Sequence, residues 1–546
     1  MREVTVKQWK WANDPKLHKM ELAKLEKDGL DVIDTIVNKY ANEGYDSIES
    51  TDMDRFKWAG VYQQRPNNGH FMMRVRIPGG IITSEQGRAL AEIAKDYGRD
   101  LVDVTTRQAI QFHWLTVETL PDIFERLAAV GLSSFEACGD CPRTIVGNPL
   151  AGIDPHEAFD TRELVAELEQ FFLLNRDFSN LPRKYKMSIS ANQYNTGHAE
   201  INDLAFTPAK KVIDGQEVIG FHVWVGGGLS ARPYMAQKLD VFCPQDEVVK
   251  VAAGVTTVFR DFGYREKRHY ARLKYLVANW GVDKFKEELV KVTGPLESAG
   301  EDLYKGWNAG YFYGIHEQKQ AGLYYAGLSV PVGRMNADEL IQLAQLAETY
   351  GDGTIGTCNS QNVLIRNIPA SKVEQFKQEP LIVNRFKLKP NTFVGYAVSC
   401  TGNEYCNLAI VETKERMRSL AEYLDDTVEL DTPVRIHMVG CPNSCGQRQI
   451  ADIGLQGALL KTDEGMISAF DVHVGGTLGL DQARFNQRLK ARIEADRLGP
   501  FLAQLIGSYK EERIEGESYW QYVERVGVEH IQAQADQIIE GAKLGG

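Results

Sequence analysis

Four of the cysteines in this chain have the residue type and the spacing that metal binding requires. Cys400 and Cys406 lie in "SCTGNEYCNLAI", and Cys441 and Cys445 lie in "GCPNSCGQ". The other four of the eight cysteines lie outside this group: Cys138, Cys141, Cys243 and Cys358. Two closely spaced thiols that occur twice suggest the ligands of one metal centre.

The spacing of these thiols favours an iron-sulfur cluster over a zinc ion. Zinc-binding knuckles commonly separate their two cysteines by two to four residues. Here five residues separate the first pair and three separate the second, which fits zinc poorly and leaves it as the alternative. Four unrelated buried cysteines would explain neither the pairing nor the flanking glycines, whereas an iron-sulfur cluster accommodates such spacings.

Local patterns indicate how the two cysteine pairs are presented. Residues 403–424 have helical periodicity, which predicts that Cys400 and Cys406 lie at or just inside a helix N-terminus. Backbone N–H groups and the helix dipole would favour thiolates there. The segment "PVRIHMV" before Cys441 alternates as a strand does. The two pairs are therefore expected at loop ends that the fold brings together.

The composition suits a chain with large buried cores. Its 546 residues are 43% hydrophobic and 25% charged, which is typical of several globular domains. The N-terminus has no apolar signal segment and no uncharged run could cross a bilayer, so we expect a cytoplasmic protein without a membrane partner. In a reducing cytosol, clustered cysteines indicate metal ligands or reactive thiols. The net charge of -12 argues against nucleic-acid binding.

The chain also repeats itself. Three segments recur in the same order: 76–98 as 329–351, 201–206 as 450–455, and 223–230 as 472–479. The repeats predict two related halves, each a small α+β unit followed by a larger one, with a site between the halves. Since only the second half carries the four grouped cysteines, the first half is expected to supply something else.

The first half supplies positive charge. Arg107 lies in "VTTRQAIQFHW", where the repeat has Ser360, and Arg143 lies in "CGDCPRTIVGNPLAG". Lys184 and Lys186 in "LPRKYK" are two residues apart, so on a strand they share one face. A solvated face is the ordinary explanation of such a pair. Next to a metal centre, these side chains instead predict a cavity for an anion or a polycarboxylate cofactor.

These motifs together resemble the siroheme and [4Fe-4S] sulfite and nitrite reductases. The resemblance rests on "CTGNEYC", "GCPNSCGQ", "TTRQ", "NPLAG", "LPRKYK" and the duplication, and covers about residues 55 to 530. It implies an α+β fold with duplicated ferredoxin-like half-domains and two larger siroheme/[4Fe-4S] domains related by pseudo-two-fold symmetry. The implied boundaries are 1–64 for an N-terminal helical segment, 65–140 and 311–390 for the half-domains, 141–310 for a siroheme and substrate domain, and 391–546 for the cluster domain.

The resemblance also implies roles for individual residues. Cys400, Cys406, Cys441 and Cys445 would hold a [4Fe-4S] cluster, and the Cys445 thiolate would also ligate the siroheme iron. The remaining siroheme contacts would be Arg107, Gln108, Arg143, Lys184 and Asn443. The substrate anion would be held by Arg107, Arg143, Lys184 and Lys186.

The implied reaction is the six-electron reduction of a small anion. No flavin or nucleotide-binding segment is evident, so ferredoxin is the expected electron donor. "NPLAGIDPHE", "GIHEQKQAGL" and "PVGR" resemble nitrite reductases, whereas "ACGDCPR" and the second lysine of "KYK" resemble sulfite reductases, which have Lys where nitrite reductases typically have Asn. We expect reduction of sulfite to sulfide, with reduction of nitrite to ammonium as the alternative. A non-catalytic siroheme-binding or electron-carrying paralogue would be expected to lose the anion-binding residues, and all four are present.

Three further expectations concern residues outside these motifs. Tyr62 and Cys138 are expected to approach each other and to shape the site. Cys243 and Cys358 are expected to pack as small apolar residues. The helical pattern of residues 1 to about 60 predicts helices that pack on the body of the protein, with a part of a ferredoxin-binding surface as the alternative.

Overall fold

The computed structural model describes residues 9–310, 312–463 and 465–544. Its N-terminal segment is helical and contains α1 (Lys19–Glu26), α2 (Val32–Thr35), α3 (Ala41–Glu43) and α4 (Ser50–Arg55). Val32, Ile36 and Tyr40 are fully buried in the core of the unit that follows. The expected packing of these helices on the body is therefore confirmed for the described residues. In that part of the chain, no helix combines the length and the apolar character needed to span a membrane.

The first half of the chain contains a small and a large α+β unit. The small unit comprises β1 (Val61–Gln63), β2 (Phe71–Val75), β3 (Ile81–Thr83), α5 (Ser84–Tyr97), β4 (Leu101–Val104), β5 (Ile110–Leu115) and α6 (Leu120–Ala129). The large unit comprises α7 (Arg162–Phe172), β6 (Met187–Ile189), β7 (Leu204–Ile213), β8 (Gln216–Val225), β9 (Gln237–Pro244), α8 (Val248–Phe262), α9 (Leu273–Thr293) and β10 (Glu301–Asp302). The first sheet begins at Val61, before the expected boundary at residue 65, because β1 pairs with β2.

The second half repeats this order. Its small unit comprises β11 (Gly314–Glu317), β12 (Leu323–Leu328), β13 (Arg334–Asn336), α10 (Ala337–Tyr350), β14 (Thr354–Thr357), β15 (Val363–Pro369), α11 (Val373–Phe376) and α12 (Pro380–Asn384). Its large unit comprises β16 (Ala397–Ser399), α13 (Lys414–Thr427), β17 (Ile436–Val439), β18 (Ile453–Thr462), β19 (Gly465–Val474), β20 (Gln487–Glu494), α14 (Leu498–Glu512), α15 (Tyr519–Val526) and α16 (Val528–Leu544).

The two small units exchange one strand each. Their sheets have the orders β1-β2-β5-β4-β13 and β11-β12-β15-β14-β3. Met335 of β13 lies opposite Val102 of β4, and Ile82 of β3 lies opposite Ile355 of β14. One continuous core contains buried residues of both units. The half-domains therefore form a single two-sheet body, which the sequence pattern did not predict.

The large units confirm the duplication at the level of strand register. In each, a short strand runs parallel to the first strand of a long hairpin, as β6 does to β7 and β17 does to β18. Leu204 lies opposite Val225 in the first hairpin, and Ile453 lies opposite Val474 in the second. Both pairs are separated by the same number of residues, so the two halves share one architecture. The predicted α+β fold with duplicated units is confirmed.

A buried carboxylate ties the N-terminal helices to the loop that precedes Arg143. Asp140 Oδ2 lies 2.9 Å from Nζ of Lys24 in α1 and 2.8 Å from a guanidinium nitrogen of Arg268. Its Oδ1 lies 3.3 Å from Arg183. Burial acts to raise the pKa of Asp140, but Lys24, Arg268 and Arg183 outweigh it and hold this pKa well below its ordinary value. The carboxylate of Asp140 therefore holds together three cationic residues that are distant from one another in the sequence.

Replacing this charge should destabilise the fold. We expect Asp140→Asn to lower the free energy of unfolding by about 3–5 kcal/mol, because three cations lose a buried partner. Since the pKa of Asp140 is depressed in the folded state, its stabilisation is present above the unfolded pKa and is lost as pH falls through the folded pKa. The difference between wild type and variant in the free energy of unfolding, measured by urea denaturation, should therefore become smaller at acidic pH.

The control for this prediction is Asp496→Asn. Asp496 is 94% exposed and lies 3.1 Å from Arg416, so its loss should cost less than about 1 kcal/mol. Equal effects of the two substitutions would contradict the role assigned to Asp140.

Candidate cofactor and anion site

A large open cavity lies where the two halves meet. It encloses about 1530 Å³ of space, its mouth included. All four grouped cysteines line it, together with every cationic residue that the sequence analysis selected for the anion: Cys400, Cys406, Cys441, Cys445, Arg107, Arg143, Lys184 and Lys186. Asn443 lies on the same wall. The fold thus brings the thiols of the second half opposite the charges of the first.

The four thiols meet because the strands that precede them are parallel neighbours. Cys400 directly follows β16 and Cys441 follows β17 after one residue, and Val398 of β16 lies opposite His437 of β17. The carboxyl ends of parallel strands lie at the same edge of a sheet, so both cysteine loops start from one edge. The strand predicted before Cys441 is confirmed.

The predicted helix around Cys406 is wrong at its beginning. Helix α13 begins at Lys414, and Cys400 and Cys406 lie in the irregular loop before it. The loop folds back on itself, because Thr413 Oγ1 donates a hydrogen bond of 2.7 Å to the Cys400 carbonyl oxygen. Gly402 has φ of +69° there, and a Cβ at this position would lie 2.5 Å from Thr413 Oγ1. This turn replaces the helical start that the periodicity indicated.

The thiols are poorly suited to bear charge without a bound cation. Burial, followed by the nearby Cys445, raises the pKa of Cys400 to about 12. Burial and Cys445 also raise the pKa values of Cys406 and Cys441. Metal binding removes this penalty because it neutralises the thiolates as they form.

The geometry of the thiols favours a multi-iron cluster over a single ion. Ligands of one tetrahedral zinc ion all lie within about 2.3 Å of it, so their sulfurs must lie very close together. Among the described residues, no three His, Cys, Asp or Glu side chains are grouped closely enough to hold one metal ion. All four cysteines nevertheless line one cavity, as the ligands of a [4Fe-4S] cluster must.

Lys184 and Lys186 face the cavity from one side of an extended segment. Tyr185 between them points into the apolar core of the large unit, so the shared face predicted for the two lysines is confirmed. Within the described part of the chain, neither ammonium group has a hydrogen-bond or ion-pair partner. Burial lowers the pKa of Lys184 to about 8. Burial, Arg107 and Lys184 lower the pKa of Lys186 well below its ordinary value.

The two predicted arginines are held rigidly by backbone oxygens. Arg107 donates to the carbonyl oxygens of Thr144 and Met187 at 2.9 and 3.1 Å, and to Oδ1 of Asn202 at 2.7 Å. Burial lowers the pKa of Arg107 to about 9. Its Nε has no hydrogen-bond partner among the described residues. A buried donor without a partner marks a place for an acceptor that a bound acid would provide.

Arg143 is fixed in the same way. Its guanidinium donates to the carbonyl oxygens of Ala137 at 3.0 Å and of Gly139 at 3.0 and 2.6 Å. Because a guanidinium has five N–H groups, two remain for a ligand. These contacts set the direction in which Arg143 presents its charge to the cavity.

A third arginine at the cavity was missed by the sequence analysis. Arg74 on β2 donates to Oε1 of Gln111 at 2.9 Å and lies 3.5 Å from Sγ of Cys138. Its Nε has no hydrogen-bond partner within the described residues. The available signal was an arginine in "FMMRV", a strand in which Phe71, Met73 and Val75 are buried. Buried and partly exposed residues alternate along β2, which places Arg74 on the less buried face. Only the pairing of β2 with β5 shows that this face is a wall of the cavity.

The expected approach of Tyr62 and Cys138 is confirmed. The two side chains interact, and burial, followed by this interaction with Cys138, raises the pKa of Tyr62. Tyr62 lines the cavity, and Cys138 lies behind it against Arg74. Both residues therefore shape the wall that carries Arg74 and Arg143.

Gln108 has a different position from the one expected of a siroheme contact. Its side chain does not line the cavity, because its amide donates to the Gly147 carbonyl at 3.0 Å and accepts from the Gly147 amide at 3.0 Å. Its repeat partner Gln361 lines the cavity, but its side chain is also held by backbone, because it accepts from the Ser399 amide at 2.9 Å. The two glutamines fasten each small unit to a large one.

Two of the ungrouped cysteines, Cys243 and Cys358, lie in apolar surroundings and do not line the cavity. Cys243 is buried in the core of the first large unit, and Cys358 is buried in a small apolar group with Leu150 and Phe312. Their expected packing as apolar residues is confirmed. Burial raises the pKa of both thiols, so neither is a ready nucleophile.

Comparison with known proteins gives the same two units in each half. The family "Nitrite and sulphite reductase 4Fe-4S domain" matches residues 138–295 and 393–541. The family "Nitrite/Sulfite reductase ferredoxin-like half domain" matches residues 62–130 and 316–381. Each family thus occurs twice, in the order of the observed duplication.

Relatives of known activity resemble almost the whole chain. A ferredoxin-nitrite reductase of Synechococcus elongatus is 42% identical over 504 residues, which are 91% of this chain and 97% of the relative. The ferredoxin sulfite reductase 2 of Mycolicibacterium paratuberculosis is 36% identical over 550 residues, 95% of this chain and 96% of the relative. The solved structure of the Mycobacterium tuberculosis NirA protein matches with a TM-score of 0.89 and 35% identity, over 95% of this chain and 98% of that one.

These matches run through both halves and include the loops that carry the thiols and the cations. The cavity residues also suit the two cofactors of this family. Four thiols can bind an iron-sulfur cluster, and the arginines, two of which have an Nε without a partner among the described residues, can bind the carboxylates of siroheme. The chain belongs to the siroheme and [4Fe-4S] family of nitrite and sulfite reductases.

Proposed function

We propose that this chain is a ferredoxin-dependent nitrite reductase that reduces nitrite to ammonium. The observation that carries this proposal is the placement of five cationic side chains on the same cavity as the exposed thiol of Cys445: Arg74, Arg107, Arg143, Lys184 and Lys186. Nitrite is favoured over sulfite because relatives named ferredoxin-nitrite reductases reach 40–42% identity over 88–91% of this chain. The sequence pattern alone favours sulfite, on the evidence of Lys186 and of "ACGDCPR".

The cofactors would be held by the residues already placed on the cavity. Cys400, Cys406, Cys441 and Cys445 would bind the [4Fe-4S] cluster, and Cys445 would also ligate the siroheme iron. The free N–H groups of Arg107 and Arg143, with Lys184 and Asn443, would bind siroheme carboxylates. When bound, the two groups supply electrons singly to the substrate anion. Ferredoxin would provide these electrons, as the names of the relatives indicate.

The protein side chains would bind the anion and deliver protons. Rigid guanidinium groups are suited to fixing a small planar anion, because little entropy is lost when they bind it. Ammonium groups can also donate a proton, and the pKa of about 8 for Lys184 lies close to neutral pH. Lys184 is therefore proposed as a proton donor while oxygen leaves the substrate as water. The arginines remain charged and hold the intermediates.

Sulfite is the second candidate substrate. Lys186 adds a second free ammonium group beside Lys184, and a doubly charged anion benefits more from it than a monoanion does. Relatives named ferredoxin sulfite reductases are 34–36% identical over 95–96% of this chain. Steady-state rates on nitrite and on sulfite with reduced ferredoxin distinguish the two proposals. A higher kcat/KM for nitrite is expected, and a clear preference for sulfite would reverse the assignment.

The first prediction for the site concerns the shared ligand. Cys445→Ser replaces a soft thiolate with a hard hydroxyl, so we expect loss of the cluster and abnormal siroheme binding together. Iron analysis and the absorption spectrum measure both. Cys243→Ser is the control and should retain both cofactors. A Cys445→Ser protein with wild-type spectrum and turnover would contradict the bridging role.

The second prediction concerns proton delivery by Lys184. Lys184→Arg keeps the positive charge but removes a group that can lose its proton near neutral pH. We expect kcat to fall by about 10²–10⁴-fold with a smaller change in KM, because binding is retained and proton transfer is lost. Rates are expressed per bound siroheme. Lys184→Met, which removes the charge as well, should raise KM further, and an unchanged kcat in Lys184→Arg would contradict the role.

The third prediction concerns substrate preference. Lys186→Asn replaces an ammonium group with a neutral amide that still donates hydrogen bonds. Losing a charge-assisted contact costs about 1.5–3 kcal/mol, so we expect the ratio of nitrite to sulfite kcat/KM to rise by about 10 to 100-fold. Rates of wild type and variant on both anions test this. If the ratio stays the same, Lys186 does not discriminate between the substrates.

A further inference from the structure

The loop that carries Cys445 is fastened by a residue from the opposite half of the molecule. Oγ1 of Thr106, in the turn between β4 and β5, donates a hydrogen bond of 2.8 Å to the carbonyl oxygen of Cys445. The Thr106 side chain is 9% exposed and lies at the wall of the cavity. The bond therefore joins the first small unit directly to the peptide of a cysteine that faces the cavity.

The duplicated half of the molecule contains the same bond with different residues. Asn359 occupies the position of Thr106 in the second small unit, and its Nδ2 donates to the Thr196 carbonyl at 2.9 Å. Thr196 in turn occupies the position of Cys445, since the residues on either side match in backbone conformation. A side chain from each small unit thus holds the equivalent loop of the opposite half. The contact therefore occurs in both halves, although the donor side chains differ.

The turn geometry supports both equivalences. Gln108 and Gln361 have φ of +60° and +67°, each two residues after the donor. His198 and Gln447 have φ of +52° and +57°, each two residues after the residue whose carbonyl accepts. The hydrogen bond from Thr106 to Cys445 and the hydrogen bond from Asn359 to Thr196 therefore join equivalent positions of equivalent turns.

The Cys445 loop also holds Thr106 in return. Nε2 of Gln447 donates to the Thr106 carbonyl oxygen at 3.2 Å. Gln447 is itself held by His198, whose Nδ1 lies 3.2 Å from its Oε1, and by His437, whose Nδ1 lies 3.1 Å from its carbonyl oxygen. Thr106 and the loop are thus joined by two hydrogen bonds in opposite directions. A two-point attachment fixes orientation as well as distance.

We propose that Thr106 is a positioning residue that sets the direction of the Cys445 thiol toward its ligands. The direction of a side chain follows from the orientation of its own peptide, and the hydroxyl of Thr106 fixes that peptide at its carbonyl. Without the hydroxyl, the loop retains its fold but the thiol samples more directions. This inference rests on the proposed role of Cys445 as the ligand shared by cluster and siroheme.

The test compares three variants of Thr106 and one variant of Asn359 in the cofactor-loaded protein. Thr106→Val and Thr106→Ala remove the hydroxyl, whereas Thr106→Ser retains it. Asn359→Leu removes the equivalent bond on the side that has no thiol, and serves as the matched control. The readouts are the rate of siroheme dissociation and the absorption and electron paramagnetic resonance spectra of the bound siroheme.

We expect siroheme to dissociate about 10 to 100-fold faster from Thr106→Val and Thr106→Ala, with shifted spectra, because lost support of a metal ligand has effects of that size. Thr106→Ser and Asn359→Leu should resemble wild type in both readouts. Unchanged dissociation and spectra in Thr106→Val and Thr106→Ala would overturn the inference. An equal effect of Asn359→Leu would also overturn it, because the contact would then act on the fold in general.

Cys445→Ser separates this inference from the proposed function. If that variant binds siroheme normally, the shared-ligand role fails and the positioning role fails with it. If Cys445→Ser loses normal siroheme binding while Thr106→Val and Thr106→Ala match wild type, only the positioning role fails.

Discussion

The exchange of β3 and β13 between the two small units is the contact on which the site depends. Each strand completes the sheet of the opposite half, so separating the halves would expose two sheet edges and divide a continuous core. This constraint fixes the distance between the turn that carries Arg107 and the loop that carries Cys445. Cationic and thiol walls from different halves can then face each other across one cavity.

The charges on these walls are destabilised in the protein alone. Burial lowers the pKa values of Arg107 and Lys184 and raises those of Cys400 and Cys441, so each group is less easily charged than in water. Iron ions would neutralise the thiolates, and an acidic tetrapyrrole would neutralise the cations. Loading the cofactors therefore relieves two electrostatic costs at once. Those cations that do not pair with siroheme carboxylates would remain available to a substrate anion.

The duplication allows the residues of the site to be compared with those at the equivalent positions of the other half. At the position of Cys445 the first half has Thr196, and at the position of Lys186 the second half has Arg435. Arg435 is fully engaged, since its Nε and NH2 groups lie 2.8 and 2.9 Å from Asp452. Lys186 has only its backbone amide bonded to the equivalent Asp203, at 3.0 Å. On the equivalent side Thr196 therefore supplies no thiol and Arg435 supplies no free cation, and the cavity there encloses about 520 Å³, against about 1530 Å³ at the site.

Much of the site could be predicted from the sequence because its signals are local. The cysteine spacing, the alternation around Lys184 and Lys186, and the repeated segments each lie within a few residues of chain. Spacing and periodicity determine which residues share a loop or a strand face. The duplicated α+β architecture and the grouping of the thiols followed from them. The substrate preference did not, because it depends on small differences between two anions at one shared site.

The tertiary structure alone decided which side chains face the cavity and which fasten the fold. Arg74 alternates with buried apolar residues, and only the pairing of β2 with β5 reveals its position beside Cys138. Gln108 adjoins Arg107 but is held by Gly147, and α13 begins later than its periodicity predicts because Thr413 binds back to Cys400. These outcomes depend on contacts between residues distant in sequence. Local patterns carry no information about such partners, so the sequence determined the chemistry available and the tertiary contacts determined how it is used.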